Sequence, residues 1–254
     1  MPINKTTKQN LLQAITNEKD KIVIPDIIPQ DQELRNAYQI ARILDQYLPD
    51  YFRRVNKPLT LTEIEQKIDQ ILLKFKQEVL FALSQEKDKF RKEIQENKTT
   101  FKNIFEFAGC ENLYLSNLYT RFISENMGHK LEDIAGIVNN VFLPDKELDI
   151  TIKGIDLIIF HEEKIKYTQL KTKKDTLTGS QSSRSINELK IHPFSIFAVA
   201  LDMGNSWTIN KASCEKYQIE RLAGESFWSL LNLDYNLILN KLAKTIREID
   251  KELY

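Results

Sequence analysis

The sequence predicts an α/β (α+β) fold in which helices flank a mixed β-sheet and a large helical region comes first. Long stretches with apolar residues at helical spacing fill the first 100 residues. Short apolar stretches separated by polar turns, typical of strands, follow residue 101. Only seven glycines and seven prolines interrupt the 254 residues, which favours long helices. We therefore divide the chain into a helical N-terminal region, 1–100, and an α/β core, 101–254.

The helical region contains three segments with apolar residues at helical spacing. They cover residues 6–19, residues 30–49, and a longer stretch that begins at Thr60 or Thr62. In the longer stretch Thr62 and Glu65 have the spacing of a capping box. Its apolar stripe predicts a helix that either packs inside a bundle or pairs with a second copy, and the pattern alone favours the bundle. The charged residues 84–100 are interpreted as a solvated helix face that runs into a linker.

The second region begins with helices and continues with strands. We predict helices over 112–127 and 130–141, a strand over 147–153, a hairpin over 155–171 and a polar loop over 173–185. A short helix, strands over 194–201 and 206–209, and a helix over about 225–252 complete the prediction. Successive strands followed by helix and strand indicate a mixed sheet.

Composition excludes several classes of protein. Lysine and arginine together number 36, as do aspartate and glutamate, so net charge alone indicates no partner. Cys110 and Cys214 lie far apart in no zinc-binding spacing and are expected to be reduced thiols. The N-terminal residues are polar, and no apolar run reaches the roughly 18 residues that a membrane span needs. We expect a cytoplasmic protein without membrane contact.

The hairpin gives the most specific expectation about a functional site. If the turn centres on residues 161–164, the numbers of paired residues add up to 325. Asp156 then faces Gln169, and Lys171 projects from the same face because side chains alternate along a strand. Directly opposed residues lie about 5 Å apart. A carboxylate, an amide and an ammonium group are therefore expected together at the end of an apolar strand pair.

These groups have the chemistry of a magnesium site. Asp156, the amide oxygen of Gln169 and the backbone carbonyl of Leu170 are hard oxygen ligands, and waters would fill the remaining positions. Lys171 beside the metal would orient a bound water or stabilise charge that develops on a phosphate. The alternative is an Asp–Lys ion pair with a structural role.

The residues Asp156 and Gln169-Leu170-Lys171 resemble the motif of the PD-(D/E)xK nuclease superfamily, in particular that of type II restriction endonucleases. The resemblance covers about 20 residues directly and residues 125–210 in topology. It implies a restriction-endonuclease-like core, Mg²⁺ as cofactor and hydrolysis of phosphodiester bonds. Ile155 replaces the proline of the family pattern, and Gln169 replaces its usual acidic residue, which removes a negative charge from the site.

Members of this superfamily often recruit another acid from a helix that precedes the sheet. Glu132 is the first candidate for such a catalytic acid, and Glu125 is the second. Asp145 follows Pro144 and competes with Asp156 for the role of metal-binding aspartate, but it has no partner in the hairpin register. A surface carboxylate without function is the alternative for each one.

The segment after the hairpin has the composition of a DNA-binding surface. Between Lys164 and Lys190 there are seven basic and two acidic residues, which gives a local net charge of +5. The loop adds polar side chains that bind phosphates and base edges. The candidates for DNA binding are Lys173, Lys174, Thr178, Ser180, Gln181, Arg184 and Asn187. The alternative is a flexible polar loop, and the three histidines have no catalytic spacing.

The leading hypothesis is a Mg²⁺-dependent, sequence-specific endodeoxyribonuclease that acts on double-stranded DNA as a homodimer, with the N-terminal helices serving dimerisation or DNA clamping. Two-fold symmetric proteins match palindromic sites. One alternative is a repair, resolvase or transposition nuclease of the same superfamily. Another is a non-catalytic helical protein that binds DNA or a protein partner.

Overall fold

The computed structural model describes residues 4–55, 57–95 and 100–253. The helices are α1 Lys5–Glu18, a 3-10 turn Lys19–Lys21, α2 Gln32–Val55, α3 Leu61–Gln95, α4 Ile104–Phe107, α5 Glu111–Ala135, α6 Pro144–Leu148, α7 Gly179–Leu189, α8 Lys211–Lys216, α9 Glu225–Leu230 and α10 Tyr235–Leu253. The strands are β1 Val141–Phe142, β2 Leu157–His161, β3 Lys164–Lys171, β4 Ser195–Val199 and β5 Ile219–Ala223. The predicted α/β fold with a mixed sheet and a large helical N-terminal region is confirmed.

The chain forms two compact units, and each is assembled from two stretches of sequence. The first contains Met1–Ile64 and Leu131–Asn236, and the second contains Glu65–Lys130 and Leu237–Tyr254.

The first unit contains the sheet, in the order β1-β2-β3-β4-β5. The pairs β1–β2 and β2–β3 are antiparallel, whereas the pairs β3–β4 and β4–β5 are parallel. Because β2 runs opposite to β3, the beginning of β2 lies beside the end of β3. The residues before Leu157 are thereby brought to the edge of the sheet at which the parallel strands end.

The main core of the first unit lies between one face of the sheet and α1, α2 and α7. The Tyr167 hydroxyl on β3 lies 2.7 Å from the carbonyl oxygen of Ala41 and 2.8 Å from the carboxylate of Asp45, and the two acceptors share its single proton. The Phe52 ring stacks on Phe160 with centroids 5.3 Å apart. Helix α2 therefore buries its apolar face against the sheet, and α1 packs on α2 and α6, tertiary contacts that hydrophobic periodicity does not reveal.

The second unit is built from α4 and from parts of α3, α5 and α10. On α3 the apolar stripe is buried, and the ring of Phe90 stacks on Tyr114 of α5 at 4.8 Å. Lys76 on α3 pairs with Glu248 on α10 at 3.2 Å. The buried stripe residues include Ile68, Leu72, Phe75, Val79 and Leu83. The stripe thus serves packing within the chain, which is the bundle interpretation.

Several predicted elements are wrong, each for a local reason. The predicted strand over 147–153 is instead the end of α6 and a turn, because Pro144 starts a helix at its first position and Asp149 ends it with a φ of 58°. The helices predicted over 112–127 and 130–141 form one helix, α5, which ends at Ala135. Residues 206–209 form no strand. The last predicted helix is divided into α9 and α10.

The capping residue of α3 also differs from the prediction. The Glu63 carboxylate accepts from the backbone and the hydroxyl of Thr60, both at 2.8 Å, so the capping pair lies two residues before the predicted one. In the part of the chain that the structure describes, no helix combines the length and the apolar character required to cross a membrane.

Candidate active site

The β2–β3 hairpin has the predicted register. Ile158 pairs with Tyr167, Phe160 with Ile165, and the residue numbers in every pair add up to 325. Glu162 and Glu163 form a two-residue turn with φ values of 50° and 59°. A two-residue turn with both φ positive matches the right-handed twist of the strands, and it fixes the register.

Asp156 lies directly before β2, where the ladder becomes irregular. Its backbone N–H donates to the Thr168 carbonyl at 2.9 Å, although Leu157 is the residue that pairs with Thr168. Two residues thus face one, which is the arrangement of a β-bulge, a device that redirects a side chain. The Asp156 carboxylate accepts from the backbone N–H of Leu170 at 2.7 Å. It therefore lies beside the Gln169-Leu170 peptide, one position away from the direct pair that the register predicts.

Gln169 and Lys171 lie on one face of β3 and line the same cavity, which has a volume of about 230 Å³. Gln169 is 5% exposed, and its amide nitrogen donates to the Glu188 carboxylate at 3.1 Å. The Gln169 Oε1 atom is buried without a hydrogen-bond partner. Asp156 does not line this cavity. The residues that line it are Gly154, Gln169, Lys171, Leu177, Gln181, Arg184, Ser185 and Glu188.

Glu188, on α7, is the residue of this site that the sequence reasoning missed. Its carboxylate is buried between Gln169 and Arg184, whose Nε donates to it at 2.8 Å. This hydrogen bond and the charge of Glu188 raise the pKa of the Arg184 guanidinium group. The signal in the sequence was the helical spacing of Ile186 and Leu189 together with an acid four residues after an arginine.

The upstream carboxylates lie at three different places. Glu132 is half-buried on α5, and it does not line the cavity. Glu125 belongs to the second compact unit, where it pairs with Arg121 at 3.4 Å. Asp145 is exposed in the first turn of α6. None of these positions tests a catalytic role.

The segment predicted as a polar loop is helical from Gly179 onward, and this part of the prediction is wrong. Gln181 accepts the backbone N–H of Thr178 at 2.8 Å, which stabilises the first turn of α7. Four of the candidates for DNA binding lie on the exposed side of this helix: Ser180, Gln181, Arg184 and Asn187. The serine-rich composition concealed a helix whose opposite face, with Ser182, Ser185, Ile186 and Leu189, is buried.

Four of the seven basic residues between Lys164 and Lys190 form ion pairs with carboxylates. Lys173 pairs with Asp175 at 3.5 Å, and Lys174 pairs with Asp202 at 2.7 Å. Lys166 pairs with Glu220 at 2.8 Å, and Arg184 pairs with Glu188. Lys171 has no such partner among the described residues. The net charge of +5 counted along residues 164–190 is therefore reduced in the folded chain, where Asp202 and Glu220 also pair with these basic residues.

Three residues at this edge of the sheet carry oxygen atoms of the kind that bind a hard divalent cation, but Asp156 does not line the cavity that Gln169 and Glu188 share. Asp156 and Glu188 carry carboxylates, Gln169 has an orphaned amide oxygen, and this set resembles the ligands that Mg²⁺ takes in proteins. Among the described residues, no three side chains of His, Cys, Asp or Glu are grouped as a metal cluster, so the amide oxygen and waters would complete the set.

A scan against models of known protein families and a search of curated proteins find no match.

Proposed function

We propose that the chain is a Mg²⁺-dependent endodeoxyribonuclease, and specifically a type II restriction enzyme that acts on double-stranded DNA as a homodimer. The observation that carries the proposal is the end of the hairpin. There the Asp156 carboxylate lies on the backbone of Leu170, and Gln169 and Lys171 on either side of Leu170 line one cavity. This proximity supports the proposal, because the family resemblance implies an aspartate beside the Gln169-Leu170-Lys171 segment of the adjacent strand.

Each residue would have a separate chemical role. Asp156 and Gln169 would hold the cation through their side-chain oxygens, with the carbonyl of Leu170 as a further donor. A bound Mg²⁺ supplies a lowered pKa for a coordinated water and charge neutralisation at the phosphate. Lys171, without a carboxylate partner among the described residues, would orient the attacking water and stabilise negative charge on the phosphate oxygens.

The exposed side of α7 would meet the DNA. Its serine, glutamine, arginine and asparagine side chains bind phosphates and base edges, and an α-helix fits the major groove. The homodimer follows from the restriction-enzyme proposal and not from the α3 stripe, which the second unit already buries.

The test is cleavage of supercoiled plasmid in Mg²⁺ by the wild type and by Asp156→Asn, Lys171→Gln and Glu215→Gln. The first two variants should lose at least about a hundredfold in rate, because they remove a metal ligand and a charge at the reacting phosphate. Glu215, which is exposed on α8, serves as the control for loss of a carboxylate and should cleave like the wild type. Equal rates for Asp156→Asn and wild type would refute the site.

The pattern of products identifies the class of nuclease. Discrete fragments from a long linear duplex are expected from a sequence-specific enzyme. Cleavage restricted to branched or damaged duplex would favour the repair or resolvase alternative. Binding of DNA without any cleavage would favour the non-catalytic alternative.

A further inference from the structure

Glu188 is a buried carboxylate in a position that helix stability does not require. It lies on the sheet-facing side of α7 and is 5% exposed, whereas the side chain of its helical partner Arg184 is 64% exposed. An exposed Arg–Glu pair at this spacing stabilises a helix without any burial of the glutamate. Burial of a charged group is unfavourable unless it gains specific partners.

The orientation of the Gln169 amide follows from this carboxylate. An ionised carboxylate only accepts hydrogen bonds, so the Gln169 amide must present its nitrogen to Glu188. The amide oxygen is thereby turned away, and it is buried without a partner. A buried oxygen that lacks a donor is unfavourable for folding, and a cation or an ordered water at this point would satisfy it.

The cavity has the room and the groups for such a ligand. Gln169, Glu188 and Lys171 line it, and its volume of about 230 Å³ accommodates several water molecules at about 30 Å³ each. A small, strongly hydrated cation keeps several of its waters when it binds to one or two carboxylates. A cavity with room for those waters suits such an ion.

The packing around Glu188 also fixes its place. A Cβ atom on Gly154 would lie 2.4 Å from the Glu188 Cβ and 2.6 Å from its Oε2. The chain therefore passes so close to Glu188 that only glycine fits, and it does so immediately before the segment that carries Asp156. The carboxylate is held between β3 and this segment.

We propose that Glu188 is a ligand of the divalent cation and supplies the negative charge that Gln169 lacks, with the Arg184 guanidinium group as its counter-charge until the cation binds. Only the reaction that the cation would serve rests on the proposed function, and the cation site itself does not depend on it. It also implies that cation binding releases Arg184, on the exposed side of α7, for an anionic partner such as a DNA phosphate.

The test measures binding of Mn²⁺ alone, by electron paramagnetic resonance of the free ion, with no DNA present. Glu188→Gln should weaken binding at least about tenfold, since it removes a ligand charge. The exchange Glu188→Gln with Gln169→Glu keeps one amide, one carboxylate and the hydrogen bond between them, and it should restore affinity to within about threefold of the wild type. Glu215→Gln, on the exposed side of α8, is the control and should bind like the wild type.

A second variant avoids any change in the buried groups. Arg184→Gln removes an exposed cation that competes with the metal, so it should tighten Mn²⁺ binding severalfold. Unchanged or weaker binding in this variant, or wild-type affinity in Glu188→Gln, would overturn the proposal. Melting curves of each variant verify folding.

Comparison with plasmid cleavage separates the two proposals. Mn²⁺ binding that depends on Glu188, in a protein that cleaves no DNA, would retain the cation site and reject the nuclease. Cleavage by the wild type together with unchanged Mn²⁺ affinity in Glu188→Gln would retain the nuclease and reject Glu188 as a ligand.

Discussion

Replacement of Gly154 by alanine should strongly destabilise the first compact unit. Gly154 has a φ of +76°, a conformation that costs an alanine about 1–2 kcal/mol. The added methyl group would lie 2.4 Å from the Glu188 Cβ, and overpacking of this kind costs about 1–3 kcal/mol. Alanine recovers about 0.4–1 kcal/mol by restricting the unfolded chain. The free energy of unfolding should therefore fall by about 1–4.5 kcal/mol.

Urea denaturation followed by tryptophan fluorescence measures this change selectively, because Trp207 and Trp228 both belong to the first unit. Gly179→Ala is the matched control. A Cβ at Gly179 would meet nothing within 4 Å, and its φ lies outside the left-handed region. This control should not be destabilised, and it should gain about 0.4–1 kcal/mol from the same restriction of the unfolded chain. If both variants unfolded at the same urea concentration, the close approach of Gly154 to Glu188 would be refuted.

Two further predictions concern buried polar groups of the same unit. Burial is the main cause, and the charge of Arg42 the second cause, of a His192 pKa lowered from 6.5 to about 3. The neutral imidazole of His192 therefore contributes fully to stability above pH 6.5, and this contribution is lost as the pH falls toward 3. His192→Phe keeps the ring that stacks on Tyr167, and between pH 7 and 5 it should lose about 2 kcal/mol less than the wild type in urea denaturation; equal losses would contradict the burial of a neutral imidazole. Lys166 is 7% exposed and pairs with Glu220, so Glu220→Gln should cost about 1–2 kcal/mol by the same assay, a value reduced because the Glu220 side chain is 45% exposed. Lys166→Met, which removes the buried charge, should change stability by less than about 1 kcal/mol, and a larger loss than in Glu220→Gln would contradict the reasoning.

The hairpin could be predicted from the sequence because its information is local. The two-residue turn and the alternation of side chains along Ile158 and Phe160 leave one register that keeps apolar residues paired. The position of Asp156 within the bulge was not predictable, since a bulge depends on how the chain packs before the strand. The local pairing arithmetic therefore gave the neighbourhood of the Asp156 carboxylate but not its hydrogen-bond partner.

Elements that depend on distant partners were missed. β5 is a short strand that contains Glu220 and Arg221, and only pairing with β4 gives it its structure. α7 is rich in serine, which is more typical of turns, and packing against β3 and β4 overrides that preference. Glu188 could enter the site only once α7 was placed over β3. The carboxylate that completes the proposed cation site thus depends on tertiary structure.

The same distinction governs the proposed attraction to DNA, and it makes a testable difference. Four of the seven basic residues between Lys164 and Lys190 have carboxylate partners, two of them far away in sequence at Asp202 and Glu220. About three of these basic residues per chain have no carboxylate partner among the described residues. They should contribute about −3 to the slope of log affinity against log salt, whereas seven unpaired basic residues would contribute about −6. Replacement of Lys164 and Lys190 by glutamine should therefore make the slope less steep by nearly 2, measured by fluorescence anisotropy of a labelled duplex. Replacement of Lys173 and Lys174, whose charges are already paired, removes the same formal charge and should leave the slope nearly unchanged. A larger effect from the second pair would mean that DNA breaks these ion pairs on binding, and that charge counted along the sequence was the better guide.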